Sequence, residues 1–253
     1  IRTFFTIFII QLLVVNKTHG NEGKVKDCFE KLNRVTFALN MGLDKIVFKP
    51  ISKGYRKLPS PIRTGTSNAL NNLSNLITIP NNVLQGDFGS AANNSARLII
   101  NTTLGIAGIF DPANSFGFEK REKEDFGQSL GVMGVGEGCY LVLPVLGPST
   151  VRDTVGSLIA MNGGDVWHNI TVRDDEEYVK EFKESDYWVS RVSSGIDFRA
   201  KNLEAFDAME KNSIDLYATV RSLYLQDRKK KINNSSAKTE AMEDGDWDTL
   251  ENQ

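Results

Sequence analysis

The sequence predicts an all-α protein interrupted by one glycine-rich hairpin. Three observations predict it. Apolar residues recur at helical spacing over several separate stretches. Strand signals are confined to residues 139–146. Proline and glycine fall mostly between the periodic stretches, where they mark turns. The 253 residues are enough for one large domain with a core. With 40% hydrophobic and 25% charged residues, composition argues against wholesale disorder and against a polytopic membrane protein. The formal net charge is −2, from 30 basic and 32 acidic residues, so no global basic field exists to hold nucleic acid.

At the N-terminus, Arg2 precedes an apolar run from Phe4 to Val15, followed by Asn16-Lys17-Thr18-His19-Gly20. A positive start, a short apolar stretch and a small residue near its end predict a secretory signal peptide over residues 1–20. The run is short of the roughly 20 residues that a spanning helix needs, and no later segment reaches that length. No Cys follows a small-residue triplet at its end, so an unlipidated N-terminus is expected.

Residues 30–48 carry Leu32, Val35, Leu39, Leu43 and Ile46 mostly at helical spacing, with Pro50 expected to stop the helix. Pro59-Ser60-Pro61 opens a second helix, expected to end near Pro80 and rich in amides: Asn71, Asn72, Asn75, Asn81 and Asn82. Gly86-Asp87 breaks the chain before a helix over 88–104. At about 100° per residue, Asn93, Asn94, Arg97 and Asn101 fall on one side of that helix, while Ala, Leu and Ile cover most of the rest. Such a helix suits a core in which the polar stripe meets other polar groups. It equally suits a lipid-facing position with the stripe turned to a watery passage. Residues 105–118 read as a loop or broken helix, and residues 126–148 as a compact apolar hairpin carrying Gly127, Gly131, Gly134, Gly136, Gly138 and Gly147. Ser149 is the expected cap of a helix that takes in Asp153. Helical signal resumes from about residue 174 and continues to about 231, with Gly195 a candidate break. From Lys229 onward apolar residues are few, and residues 234–253 are expected to be a disordered acidic tail.

Chemistry is sparse. The chain has two His and two Cys, with no His-x-x-x-His or Cys-x-x-Cys spacing, so no metal site and no cofactor are expected. Gly134-Val135-Gly136-Glu137-Gly138 lacks the Gly-Lys-Ser/Thr of a phosphate loop. No Gly-x-Ser-x-Gly elbow is present. The sequence therefore points away from an enzyme. In an oxidising compartment Cys28 and Cys139 could pair as a disulfide.

In order along the chain stand Asn33-Arg34-x-x-Phe37-x-x-Asn40, Pro61-x-Arg63-x-Gly65-x-x-Asn68 and Asn82-x-Leu84-Gln85-Gly86-Asp87. Then come Arg97-x-x-x-Asn101-Thr102-x-x-Gly105-x-x-Gly108-x-x-Asp111 and, most tellingly, Phe126-Gly127-x-x-Leu130-Gly131-x-x-Gly134-Val135-Gly136-x-Gly138-x-Tyr140-x-x-Leu143-Pro144-x-x-Gly147-Pro148-x-x-x-Arg152-Asp153. Over residues 27–233 this series resembles the MlaA (VacJ) family. The resemblance implies a ring-like arrangement of amphipathic helices with a Gly-rich hairpin, lying in one leaflet of the outer membrane at its periplasmic face. It implies phospholipid as cargo, moved from the outer leaflet through an amphipathic passage toward a periplasmic lipid carrier protein, which maintains lipid asymmetry. An outer-membrane trimeric porin is the implied partner. Asn94, Arg97 and Asn101, with Gly131, Met133, Gly134, Gly136 and Gly138 of the hairpin, are the residues expected to line the passage. Asn33, Arg34, Asn40, Asp111, Pro144, Arg152 and Asp153 are expected to hold the fold. Residues 154–190 match poorly, and Cys139 stands where Pro is common. A soluble periplasmic lipid-binding carrier, or a structural envelope protein docking on a porin, are the competing readings.

Overall fold

The computed structural model describes residues 26–172 and 182–247; the leader assigned to residues 1–20 lies outside them. In chain order the elements are α1 (Glu30–Leu43), a π-helical turn (Asp44–Phe48), α2 (Lys49–Arg56), α3 (Ser60–Leu84), α4 (Phe88–Thr103), α5 (Pro112–Ser115) and α6 (Phe126–Val132). They continue as β1 (Tyr140–Leu143), β2 (Gly147–Thr150), α7 (Val151–Ile159), a second π turn (Ala160–Gly164), α8 (Val166–Thr171), α9 (Glu184–Lys201), α10 (Leu203–Asn212) and α11 (Leu216–Trp247).

Caps explain several starts. The Asp87 carboxylate accepts from the Ser90 amide at 2.9 Å to open α4, and Asp125 accepts from the Gln128 amide at 3.0 Å to open α6. The cap of α7 is Thr150, which accepts from the Asp153 amide at 3.1 Å, not Ser149, which lies inside β2.

Five other expectations are corrected. Pro50 does not stop the first helix. It stands in the first turn of α2, directly after the π turn, whose wider winding leaves room for the proline ring. Pro80 lies inside α3, which runs on to Leu84 because packing along α4 holds it. The segment 126–148 is not one hairpin: 126–132 is helix, 133–139 is loop, and only residues 140–150 form the antiparallel pair, with Tyr140 opposite Thr150 and Leu143 opposite Gly147. Helix α11 continues to Trp247, through most of the expected disordered tail. Ala237, Glu240, Ala241 and Met242 are good helix formers, and Lys231 pairs with Asp227 one turn earlier at 2.8 Å. Gly195 sits inside α9 without breaking it.

The packing closes on itself. Helix α1 leads through the π turn to α2, which packs on α9. Helix α9 packs on α8, which joins α7 through the second π turn, and α7 packs on α6. Helix α6 packs on α11, which meets β2, and β1 returns to α1. The α3–α4 pair lies against α9, α8 and α6 through α3. This is a ring of amphipathic helices, as expected.

Burial runs opposite to that of a water-soluble protein. Asn81, Asn82, Asn94, Arg97, Asn101, Gln128, Arg152 and Arg228 are buried. Ile46 is 78% exposed, Leu146 77%, Leu104 65% and Ile99 63%. The apolar core is small, built on Tyr140, Val142 and Tyr217 with Phe37 and Tyr224 beside it. No helix among the described residues is long and apolar enough to cross a membrane.

Candidate functional site

The polar stripe of α4 turns inward onto α3. Asn94 donates to the Asn82 side chain at 2.9 Å. Arg97 grips both Asp111 oxygens, at 2.8 and 2.9 Å, and also donates to the Phe118 carbonyl. Asn101 donates to Asp111 at 3.0 Å and accepts from the Ala113 amide at 3.1 Å. The stripe therefore pins the loop between α4 and α6 across the mouth of the helix pair. The loop turns sharply because Ile106, Ala107 and Gly108 all take positive φ. A Cβ on Gly108 would lie 2.6 Å from the Asn72 side chain, so that approach requires glycine.

Between α3, α4 and this loop is an open cavity of about 230 Å³ lined by Asn68, Asn71, Asn72, Ser74, Asn75, Asn94, Arg97, Asn101, Asp111, Lys120, Arg121 and Lys123. The amides at 68, 71 or 72, and 75 recur at helical spacing, a signal present in the sequence that marks this face of α3. Nothing local in the sequence marks the three cations, because the 119–125 run, Glu-Lys-Arg-Glu-Lys-Glu-Asp, has the composition of a solvated charged loop. Burial acts to raise the Asp111 pKa, but hydrogen bonds from Arg97, Asn101 and Lys120 outweigh it and hold the carboxyl below its usual range. Burial, helped by the nearby Lys201 charge, lowers the Lys123 pKa.

Gly131, Met133, Gly134, Gly136 and Gly138 do not line this cavity. Gly131 is in α6, where a Cβ would meet Ile232 of α11 at 2.5 Å, so it is a packing glycine. Gly138 backs onto Val151. Only Met133, Gly134 and Gly136 remain in the open loop: Met133 is exposed, and neither glycine position has an atom within 4 Å of an added Cβ.

The remaining motif residues hold the frame. On α1, Asn33 donates to the Tyr140 carbonyl at 3.0 Å and accepts from the Val142 amide at 2.9 Å. Two turns on, Asn40 donates to the Leu143 carbonyl at 2.9 Å and accepts from the Val145 amide at 2.8 Å. Pro144 enters the tight turn whose next residue, Val145, has φ +66°. Arg34 forks onto Asp215 and stacks over the Tyr217 ring at 4.4 Å. Arg228 of α11 bridges Asp125 (2.6 and 2.9 Å) and Asp153 (2.8 Å), while Arg152 also meets Asp153 at 3.1 Å. Burial acts to raise the Asp125 pKa, but Arg228 holds it down at about 2. Cys28 and Cys139 are joined in the structure, with their Cα atoms 5.6 Å apart. Among the described residues no group of three or more His, Cys, Asp and Glu could hold a metal ion.

The profile of the MlaA lipoprotein family matches residues 25–231. The chain belongs to the MlaA family. It is 34% identical over 200 residues to a protein of Rickettsia prowazekii, covering 79% of this chain and 75% of that one. It is 32% identical over 205 residues to the intermembrane phospholipid transport system lipoprotein MlaA of Escherichia coli, covering 79% and 76%. A solved structure determined as the structural basis for maintenance of bacterial outer membrane lipid asymmetry superposes with a TM-score of 0.65 at 30% identity, covering 82% of this chain and 99% of that one. The family's description as lipoproteins runs against the expectation of an unlipidated N-terminus, whose residues lie outside those described.

Proposed function

We propose that this chain is a phospholipid-transport component that draws mislocalised phospholipid from the outer leaflet of the outer membrane. It passes the lipid toward a periplasmic carrier protein and so maintains lipid asymmetry. The observation that carries this reading is the inverted burial of an MlaA-family ring, with aliphatic side chains outside and amides and cations within. The outside matches acyl chains and the inside matches headgroups. The amide cavity of α3 and α4, with Asn94, Arg97 and Asn101, would pass the headgroup. The loop of Met133, Gly134 and Gly136 would yield as lipid moves by. A trimeric porin is the proposed partner holding the ring in its leaflet. The activity breaks no covalent bond and asks for no catalytic group.

The test is a deletion strain probed for surface-exposed phospholipid. Surface phospholipid should rise in the deletion and return to normal with the restored gene. Unchanged asymmetry would sink the transport reading in favour of a structural envelope role. Release with the periplasmic fraction without detergent would favour a soluble carrier. Mass spectrometry of the mature N-terminus decides whether an acyl anchor is present.

A further inference from the structure

A second site lies outside the amide cavity, between α2 and α9. Tyr55 of α2 forms a wall common to two cavities of opposite character. On one side is an apolar pocket of about 310 Å³, walled mainly by Ile51, Gly54, Leu58 and Ile196 and free of charged side chains. Its Ile51 and Leu58 are exposed at the molecular surface. On the other side is a polar cavity of about 290 Å³, where Arg56, Arg63, Lys120 and Lys201 face a single acidic residue, Asp197. Together these volumes fall within the range of small-molecule sites.

The pairing of these charges is incomplete. Arg56 is held by Glu204, and Lys201 by Asp197 at 2.7 Å. Arg63 uses Nε on the Leu58 carbonyl at 3.0 Å. Neither of its terminal nitrogens has a hydrogen-bond partner among the described residues. Lys120 reaches Asp111 only at 3.2 Å and is shared with the amide cavity, as is Asn68, so the two polar spaces adjoin. Tyr55 itself is fixed by its hydroxyl, which donates to Asp197 at 3.1 Å and lies 3.3 Å from the Arg63 carbonyl.

We propose that this paired cavity is a binding site for one phospholipid molecule, with an acyl chain in the α2–α9 pocket, the phosphate against Arg63 and Lys201, and Tyr55 as the partition at the glycerol level. An exposed aliphatic mouth admits a chain from the bilayer. A surplus of cations with an open guanidinium fork takes a phosphate. Contact with the amide cavity gives the headgroup an onward path. The proposal rests on the phospholipid-transport reading and adds to it a lateral site of capture.

Purified full-length protein in detergent is incubated with a phospholipid carrying a diazirine near the end of one acyl chain, irradiated and mapped by peptide mass spectrometry. Adducts should appear on peptides containing Ile51, Leu58 or Ile196. Gly54→Leu fills the pocket at a helical position where an added Cβ meets nothing within 4 Å. It should cut those adducts at least fivefold, with circular dichroism unchanged. Ser193→Leu fills the pocket from α9 and should do the same. Arg63→Gln should weaken competition by unlabelled phospholipid, and a fatty acid of equal length should compete poorly against the unmodified protein. Adducts confined to α3 and α4 would overturn the lateral site while leaving the transport reading standing, as would undiminished labelling in both leucine variants. No adduct on any peptide would overturn both.

Discussion

Arg97 reaches both Asp111 oxygens through one guanidinium nitrogen, with little exposure on either side, and Asn101 and Lys120 complete the carboxylate's shell. Arg97→Gln leaves the Asp111 carboxylate with only Asn101 and the more exposed Lys120, so it should lower stability by about 1.5–3 kcal/mol, read from thermal unfolding in detergent. Asn33→Ala leaves the buried Tyr140 carbonyl and Val142 amide without these bonds and should cost about 1–3 kcal/mol for each orphaned group. Acid should act on the same class of residue. Asp125 has its pKa depressed to about 2, so its contribution is complete above its unfolded value near 4 and is lost as pH falls through 2. The unfolding temperature should drop across that window, and Asp125→Asn should flatten the drop. The polar character of these positions was legible in the sequence: Asn94, Arg97 and Asn101 of the α4 stripe and the motif positions Asn33 and Asp153 are buried, and Asn40 is half-buried with its amide on the Leu143 carbonyl. Their partners were not. Asn33 and Tyr140 are 107 residues apart, and nothing local in a sequence encodes such a pairing.

Among the elements, helix periodicity carried most of the reading, and its failures came from proline and glycine. The helix end assigned from Pro50 gave way to the π turn before it, and the one assigned from Pro80 to packing on α4, which supplies more than one lost backbone bond removes. The glycines of residues 126–148 look alike in sequence yet divide by environment. A Cβ on Gly127 would lie 2.5 Å from the Asp153 carboxylate and 2.7 Å from Arg228, where α6 crosses the buried charges. Gly127→Ala should therefore unfold the α6–α11 contact, seen as protease cleavage within 126–132. Gly136→Ala meets open space without a positive φ and should leave both fold and lipid transfer near normal. Gly134, at φ +85°, should cost about 1–2 kcal/mol as Ala. If Gly134→Ala folds yet abolishes transfer, the loop's movement matters; unchanged transfer in both variants would remove the loop from the mechanism.

For the whole molecule, the closed circuit of packing has a covalent stitch. The Cys28–Cys139 bond spans 111 residues and joins the segment before α1 to the residue before β1. A loop of that size has an entropic contribution of up to about 4–5 kcal/mol. A Cys28→Ser, Cys139→Ser double variant should unfold at lower temperature, and denaturing non-reducing thiol titration of the parent protein should find no free thiol. Two free thiols would dismiss the bridge. The exterior should bind detergent, so removal of detergent should precipitate the protein. That behaviour should come from the aliphatic surface rather than from β1, whose outer edge is protected. Along its outer side, β1 gives the Tyr140 amide to the Lys26 carbonyl, and its later groups to the side chains of Asn33 and Asn40. The two amides stand in for a third strand. A two-stranded sheet would ordinarily offer that row of donors and acceptors to a neighbouring molecule, as cross-strand aggregation requires. Here that row is already taken, so copies crowded in one leaflet can touch along β1 without zipping into a shared sheet there.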